Sequence, residues 1–309
     1  MNSLPKTYRS NGKLLLTAEY AVLDGAKALA IPTKYGQSLK IEINDTNIIN
    51  WKSYNELAEV WFECSISFDE ITASNKRSQS YNDVKNRLIQ ILKATQTLNP
   101  EFLISNQGYD ITTHQDFNRL WGLGTSSTLI NNIANWANID AYLLLEKTFG
   151  GSGYDIACAQ NDTAITFQLQ SKQNPIVESV DFQPEFKPHL YFVYLNQKQN
   201  SRDGILAYNK FGKINPEIIA SINTITEEMI TCKSLSKFES LIVTHESIIS
   251  NLIQQEPITK QLFSNFNGAV KSLGAWGGDF VLVVSEKNPT TYFKEKGFDT
   301  VIPYVNMIL

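Results

Sequence analysis

Short runs rich in β-branched and aromatic residues predict strands at 13–16 (KLLL), 38–43 (SLKIEI), 59–66 (EVWFECSI), 108–113 (GYDITT) and 162–168 (DTAITFQ). Segment 80–98 has a different period, placing Val84, Leu88, Ile91, Leu92 and Thr95 on one face of a helix. A second helix is predicted from about 126 to 138, and a third from 139 to 147 after a short turn. Past residue 170 the texture changes. Segment 171–188 carries three prolines and many polar residues, with an edge strand within VESVDF, and it marks a domain boundary. Beyond it come a strand (189–195, HLYFVYL), a polar turn (QKQNSRDG) and helical segments to about 266. The run GAVKSLGAWGGDFVLVVS, a helix and a final strand complete the chain. This order predicts an α+β protein of two domains, 1–185 and 186–309, with helices set against an antiparallel sheet.

Composition narrows the chemistry. The 309 residues are 42% hydrophobic and 19% charged, an ordinary globular balance. Lys and Arg total 27 against 31 for Asp and Glu, a net charge of −4. No basic surplus is present to hold a nucleic-acid backbone, although one cationic pocket remains compatible with that sum. Three cysteines (Cys64, Cys158, Cys232) form no CxxC pair, and three histidines (His114, His189, His245) are scattered. That spacing argues against a disulfide framework, a zinc ribbon and a histidine metal site. The opening MNSLPKTYRSNGK lacks the apolar stretch of a signal peptide, and no apolar run nears the ~18 residues of a membrane helix. The expectation is a cytoplasmic protein without membrane or nucleic-acid partners. Its chemistry must come from carboxylates, hydroxyls, lysines or backbone amides.

Glycine placement carries the most information. Gly122-Leu123-Gly124-Thr125-Ser126-Ser127-Thr128 runs straight into the predicted helix LINNIANWAN. Glycines let backbone N–H groups approach a ligand, and a helix start offers unpaired N–H groups and a positive dipole end. The run suits a phosphate site with hydroxyls for phosphate oxygens or a Mg²⁺ shell, and equally an ordinary helix after a Gly-rich turn. It matches neither a GK[ST] loop nor GxGxxG. A second cluster, Gly150-Gly151-Ser152-Gly153-Tyr154-Asp155-Ile156-Ala157-Cys158-Ala159, puts one carboxylate at the start of a short apolar helix. Asp155 is either a proton acceptor beside phosphates or an acid favoured by the helix dipole. Cys158 reads as buried packing. The third cluster, Gly274-Ala275-Trp276-Gly277-Gly278-Asp279, is a hairpin turn or a loop that approaches a ligand. Near the start, Gly12-Lys13-Leu14-Leu15-Leu16 precedes Glu19-Tyr20-Ala21-Val22-Leu23-Asp24-Gly25.

Taken in order, GK-LLL-x-x-EYAVLDG, GLGTSS, GSGYDIA and GAWGGD resemble the motifs of the GHMP kinase superfamily, from residue 12 to about 285. The phosphomevalonate and mevalonate kinases look closest. The resemblance implies a ribosomal-protein S5 domain 2-like N-terminal half, a ferredoxin-like C-terminal half, and ATP with substrate in the cleft between them. It implies that Gly122, Leu123, Gly124, Thr125, Ser126 and Ser127 form the phosphate loop, with Ser126 the Mg²⁺ or phosphate hydroxyl. Asp155 matches the catalytic aspartate, and Lys13 the lysine beside it. Gly274, Gly277 and Gly278 match the third motif, with Gly277 and Gly278 near substrate. Glu19 and Tyr20 fall in the substrate-side motif, and Glu146 is the nearest acid to complete a Mg²⁺ shell. Lys198 and Arg202, in the polar turn 197–204, are either cationic clamps for a phosphorylated acceptor or, equally, ordinary loop charges. Two departures stand out. The usual proline upstream of the phosphate loop is missing from Asn118-Arg119-Leu120-Trp121, and Trp276 replaces a usual small residue.

The resemblance therefore implies an ATP- and Mg²⁺-dependent small-molecule kinase of the mevalonate pathway, with phosphomevalonate favoured as acceptor and mevalonate next. Its alternatives are a sugar or homoserine-type kinase, a diphosphomevalonate decarboxylase, and a binding protein that keeps the fold without catalysis.

Overall fold

The structure, a computed structural model, describes residues 4–72, 84–104, 107–171, 174–199, 201–212 and 214–309. Two compact units interleave along the chain. The first comprises Met1–Gly12, Tyr35–Arg119 and Gly124–Gln160; the second comprises Lys13–Lys34, Leu120–Leu123 and Asn161–Leu309. The expected division at a single point near 185 follows chain order, whereas strands β1 (Lys6–Leu15) and β2 (Ala28–Asn44) each contribute to both units.

In the first unit, β2 is followed by β3 (Ile48–Tyr54), β4 (Val60–Ser67), the short helix α1 (Phe68–Thr72) and helix α2 (Val84–Leu98). Strand β5 (Gly108–Gln115) then leads to helices α3 (Thr125–Ala137), α4 (Ala141–Thr148) and α5 (Tyr154–Gln160). The strands order as β4-β3-β5-β2, and β1 pairs with β2. Strand β3 runs parallel to β5 and antiparallel to β4, and β5 is antiparallel to the Gln37–Asn44 part of β2. Alternate residues of the sheet, including Leu39, Ile41, Trp51, Ile66 and Ile111, meet Leu88, Ile91 and Leu92 of α2, Ile130 and Ile133 of α3, and Leu144 of α4. Each such side chain, fully buried, contributes roughly 1.5–3 kcal/mol. The helix predicted at 80–98 appears as α2, with 80–83 outside the described residues.

In the second unit, the Ala28–Ala30 part of β2 pairs with β6 (Ile165–Ser171), which pairs with β7 (Asn174–Ser179). The edge strand expected in VESVDF is the end of β7. A separate antiparallel sheet has the order β11-β8-β10-β9, built from β8 (Leu190–Tyr194), β9 (Ala269–Ser272), β10 (Phe280–Val284) and β11 (Val301–Pro303). Helices α6 (Ser201–Tyr208), α7 (Pro216–Thr231), α8 (Leu235–Ile253), α9 (Ile258–Leu262), α10 (Thr290–Glu295) and α11 (Tyr304–Met307) accompany it. Strands β8, β9 and β10 are buried along their whole length, and β8 and β10 read as apolar runs without alternation. The α+β expectation of helices against an antiparallel sheet describes this unit.

Three elements differ from the sequence reading. Strand β2 starts ten residues before the predicted 38–43, because its Ala28–Thr33 part is buried on both faces and shows no alternation. Strand β3 was not predicted; its Ile49, Trp51 and Ser53 face inward one residue apart from exposed neighbours. Finally, the turn expected across 197–204 gives way at Ser201 to helix α6. Gly204 sits inside that helix because a Cβ there would meet the Tyr20 hydroxyl at 2.6 Å.

Candidate active site

The GLGTSS run ends where α3 begins, and its chemistry is visible there. The residue capping α3 is Gly124, which has no side chain to accept a hydrogen bond from the first turn. The N–H groups at Thr125–Ser127 therefore lack the oxygen acceptor that Ser, Thr, Asp or Asn would supply at that position. The hydroxyls of the run divide into two kinds. Ser127 Oγ donates to Gly124 O at 2.9 Å, and Thr128 Oγ1 donates to Gln37 Oε1 at 2.9 Å, so both are engaged within the first unit. Thr125 Oγ1 accepts from Gln115 Nε2 at 2.9 Å. Ser126 is exposed, and its hydroxyl has no hydrogen-bond partner among the described residues.

Asp155 occupies the first turn of α5, and its Oδ1 accepts the N–H of Ile156 at 3.1 Å. Its carboxylate acts on Tyr142, whose phenol is pushed up by burial first and then by Asp140, Cys158 and Asp155. The turn into α5 depends on Gly153, which has φ of +89° and whose Cβ would lie 2.9 Å from the Tyr142 ring. Cys158 is fully buried. Glu146 is exposed on α4. Among the described residues no group of three His, Cys, Asp or Glu side chains is placed to hold a metal ion.

In the second unit, the Lys13 N–H donates to Leu123 O at 3.0 Å, which ties the end of β1 to the glycine loop. Gly122, with φ of +68°, packs its Cα against the Asp279 carboxylate, where a Cβ would collide. Asp279 accepts the Gln199 N–H at 3.1 Å and donates its own N–H to Gln197 O at 2.7 Å. Burial raises its carboxyl, while Lys13, the Gln199 N–H and Lys198 pull it down. Lys13, Gly122, Lys198 and Asp279 therefore form one cluster, and Asp279 is the member that the sequence motifs did not single out. Gly277 and Gly278 lie against the same turn, at the Gln199 side chain and Gln197 O. Arg202 lies in the first turn of α6, with its side chain outside the described residues.

Glu19 and Tyr20, expected on the substrate side, are both buried within the second unit. Glu19 is fully buried, its carboxylate taken by the equally buried Lys271, which also donates to Ser272 O at 2.8 Å. It lies between Ala18 and Tyr20, both at positive φ (65° and 62°). His245 Nε2 accepts the Ala18 N–H at 2.9 Å and stands 3.6 Å from Glu19 Oε2. Next to it, Glu246 accepts the Ser272 hydroxyl at 3.0 Å. Tyr20 is buried as well. It stacks on Tyr208 at 5.6 Å, and its hydroxyl accepts the Trp276 N–H at 3.2 Å. Both side chains brace the backbone, because each is enclosed by partners of its own unit. No sequence signal marks Lys271 as the partner of Glu19, since a lysine in an apolar strand reads as an edge residue.

Comparison with known proteins yields no matching family model and no matching curated protein sequence. Solved structures match throughout the chain. A mevalonate kinase of Methanococcus jannaschii superposes with a TM-score of 0.71 at 18% identity, covering 96% of each chain. A phosphomevalonate kinase of Streptococcus pneumoniae, in complex with phosphomevalonate and AMPPNP, gives 0.68 at 16% identity, over 94% of this chain and 95% of that one. A Lactococcus lactis galactokinase complexed with galactose gives 0.64 at 10% identity, over 95% and 89%. Identities this low speak for shared architecture and leave the substrate open. The motif order and the three-dimensional match agree: the chain has the fold of the GHMP kinases, close to the mevalonate and phosphomevalonate kinases.

Proposed function

We propose that the chain transfers the γ-phosphoryl group of ATP to a small acceptor of the mevalonate pathway, phosphomevalonate before mevalonate. The observation that carries this reading is the start of α3. A glycine cap leaves the first-turn N–H groups without a side-chain acceptor, and Ser126 presents an unengaged hydroxyl beside them. This is the local chemistry of a phosphate site, found in a fold shared with kinases that bind small molecules.

The roles follow from the motifs. The Gly122–Ser127 loop would hold the phosphates of ATP, and Ser126 would be a ligand of Mg²⁺, which when bound neutralises phosphate charge. Phosphoryl transfer asks the protein mainly for positioning and charge stabilisation. Lys13 supplies positive charge toward the transferred group. Asp155 takes the proton of a hydroxyl acceptor as its oxygen bonds to the γ-phosphorus and the bond to the β-phosphate oxygen breaks, releasing ADP. An acceptor that attacks through a phosphate is already ionised, needs less of a base, and depends more on cations such as Lys198 and Arg202.

The test is the purified protein with MgATP and either mevalonate or phosphomevalonate, followed by product mass. A diphosphate formed from phosphomevalonate supports the reading. A product from mevalonate alone moves the acceptor one step back, and carbon dioxide release points to a decarboxylase. Neither product nor ATP consumption with these acceptors, galactose or homoserine overturns the kinase reading.

A further inference from the structure

One turn of α8 grips two segments that the kinase reading uses. His245 and Glu246 are adjacent on this helix and both buried, and neither belongs to a glycine motif. His245 Nε2 accepts the Ala18 N–H at 2.9 Å, in the turn that follows β1 and Lys13. Glu246 accepts the Ser272 N–H on Oε1 and Oε2, at 3.3 and 3.2 Å, and the Ser272 hydroxyl at 3.0 Å. Ser272 is where β9 enters the Gly274–Asp279 loop. The two segments also meet directly. Lys271 donates to the Glu19 carboxylate, and the Trp276 backbone N–H donates to the Tyr20 hydroxyl at 3.2 Å. All of these residues lie in the second unit.

The state of His245 follows from its contact. A ring nitrogen that accepts a backbone N–H carries a lone pair, so the Ala18 N–H assigns the imidazole proton to Nδ1. Three titratable groups stand around the ring. Glu19 Oε2 lies 3.6 Å from Nε2, Lys271 pairs with that carboxylate, and Glu246 is the next residue on the helix. Burial first, and then the Lys271 charge, push the imidazolium well below the ordinary histidine range. The acceptor matters because Ala18 and Tyr20 hold positive φ of 65° and 62°, which persists only where the surroundings over-determine it.

This grip reaches the candidate site. Lys13 precedes the turn, Asp279 closes the glycine loop, and the Asp279 carboxylate feels Lys13 and touches Gly122. Fixing both segments to one helix turn therefore fixes these three residues against one another. We propose that His245 and Glu246 are positioning residues that hold the 18–20 turn and the 272–279 loop in register and so align Lys13 with Asp279 and Gly122. Their effect on turnover rests on the kinase reading; the clamp itself does not.

The test compares two amides in the full chain. His245→Gln places an acceptor where Nε2 stands, whereas His245→Asn places one only at the Nδ1 position. In His245→Asn, amide hydrogen exchange should quicken about 10-fold at both Ala18 and Trp276, with the β8 amides unmoved. Its kcat should fall about 10- to 100-fold per folded molecule, while His245→Gln stays near the parent in both readouts. If His245→Asn does not fold, Ser272→Ala, which loses the hydroxyl contact to Glu246, takes its place and should quicken exchange at the same two amides. In ¹⁵N spectra of the three histidines, the one lost in His245→Gln should stay protonated at Nδ1 alone from about pH 8 to about pH 5. Faster exchange confined to one segment, parental kcat in a folded His245→Asn, a defective His245→Gln, or a His245 ring that titrates in that range overturns the clamp. A parent that turns over no acceptor yet shows linked exchange overturns the kinase reading and leaves the clamp standing.

Discussion

The Lys271 ammonium donates to the Glu19 carboxylate with neither side chain exposed to solvent, 252 residues apart in sequence. The pair anchors a turn that has left-handed backbone on either side of Glu19, a conformation that costs non-glycine residues about 1–3 kcal/mol each. Removing one partner strands the other charge. Lys271→Met should therefore cost about 3–5 kcal/mol, and adding Glu19→Gln in the same chain should restore part of it. Thermal unfolding of the single and double variants checks this. A single variant within about 1 kcal/mol of the parent would show that the pair is not holding the turn.

Glu19 also sets a pH dependence. Burial lifts its carboxyl from 4.5 to about 7, against the pull of Lys271. A carboxyl with a raised folded-state pKa holds its proton longer in the folded chain. Its contribution to stability is thus full below about 4.5 and is lost as pH rises through about 7. The stability of the parent relative to Glu19→Gln should fall across that window and then level off. Denaturant titrations over the same range measure it, and a flat difference would remove Glu19 as the titrating group.

Gly122→Ala combines two penalties, a left-handed φ of +68° and a Cβ directed at the Asp279 carboxylate. The expected loss is about 1–3 kcal/mol from the backbone, with the collision added to it. Asp279→Ala removes the collision and leaves the backbone cost. A double-mutant cycle should consequently show less than additive destabilisation. Strict additivity would mean that the two residues do not touch in solution.

Two hydroxyls one residue apart should behave differently. Ser126→Ala should weaken use of MgATP with little effect on melting temperature. Ser127→Ala loses the hydrogen bond to Gly124 O and should instead cost about 0.5–1.5 kcal/mol of stability. Steady-state kinetics and calorimetry of both variants distinguish them, and reversed effects would move the ligand hydroxyl to Ser127.

Asp155→Asn should cut turnover roughly 10²–10⁴-fold with a hydroxyl acceptor, and less with an acceptor that attacks through phosphate. The comparison of kcat for mevalonate and phosphomevalonate reads this directly. Near-parental turnover with mevalonate would exclude Asp155 as the base.

Amphipathic elements and glycine motifs were legible from sequence; two-sided burial and long-range pairing were not. Helix α2 announced itself because Leu88, Ile91 and Leu92 recur at helical spacing on one buried face. The early part of β2 escaped because Ala28–Thr33 is enclosed on both faces, so its pattern has no period to detect. Helix α6 escaped because a glycine and three polar residues open it, and the Tyr20 hydroxyl that requires Gly204 lies far away in sequence. At the candidate site, the family resemblance singled out Ser126, but the local reason that sets it apart from Ser127, the hydrogen bond of Ser127 Oγ to the Gly124 carbonyl, needs the folded loop. The burial of Glu19 was hidden for a related reason: its partner Lys271 lies 252 residues away in sequence.

The contact between Gly122 and Asp279 bears on how this site diversifies among related sequences. Each position limits the other through the same few cubic ångströms. Replacing the glycine is tolerable only where 279 has already become small, and a longer acid at 279 requires the glycine to remain. Across homologues the two columns should vary together, so substitutions at one end of the chain become accessible only in an order dictated by the other.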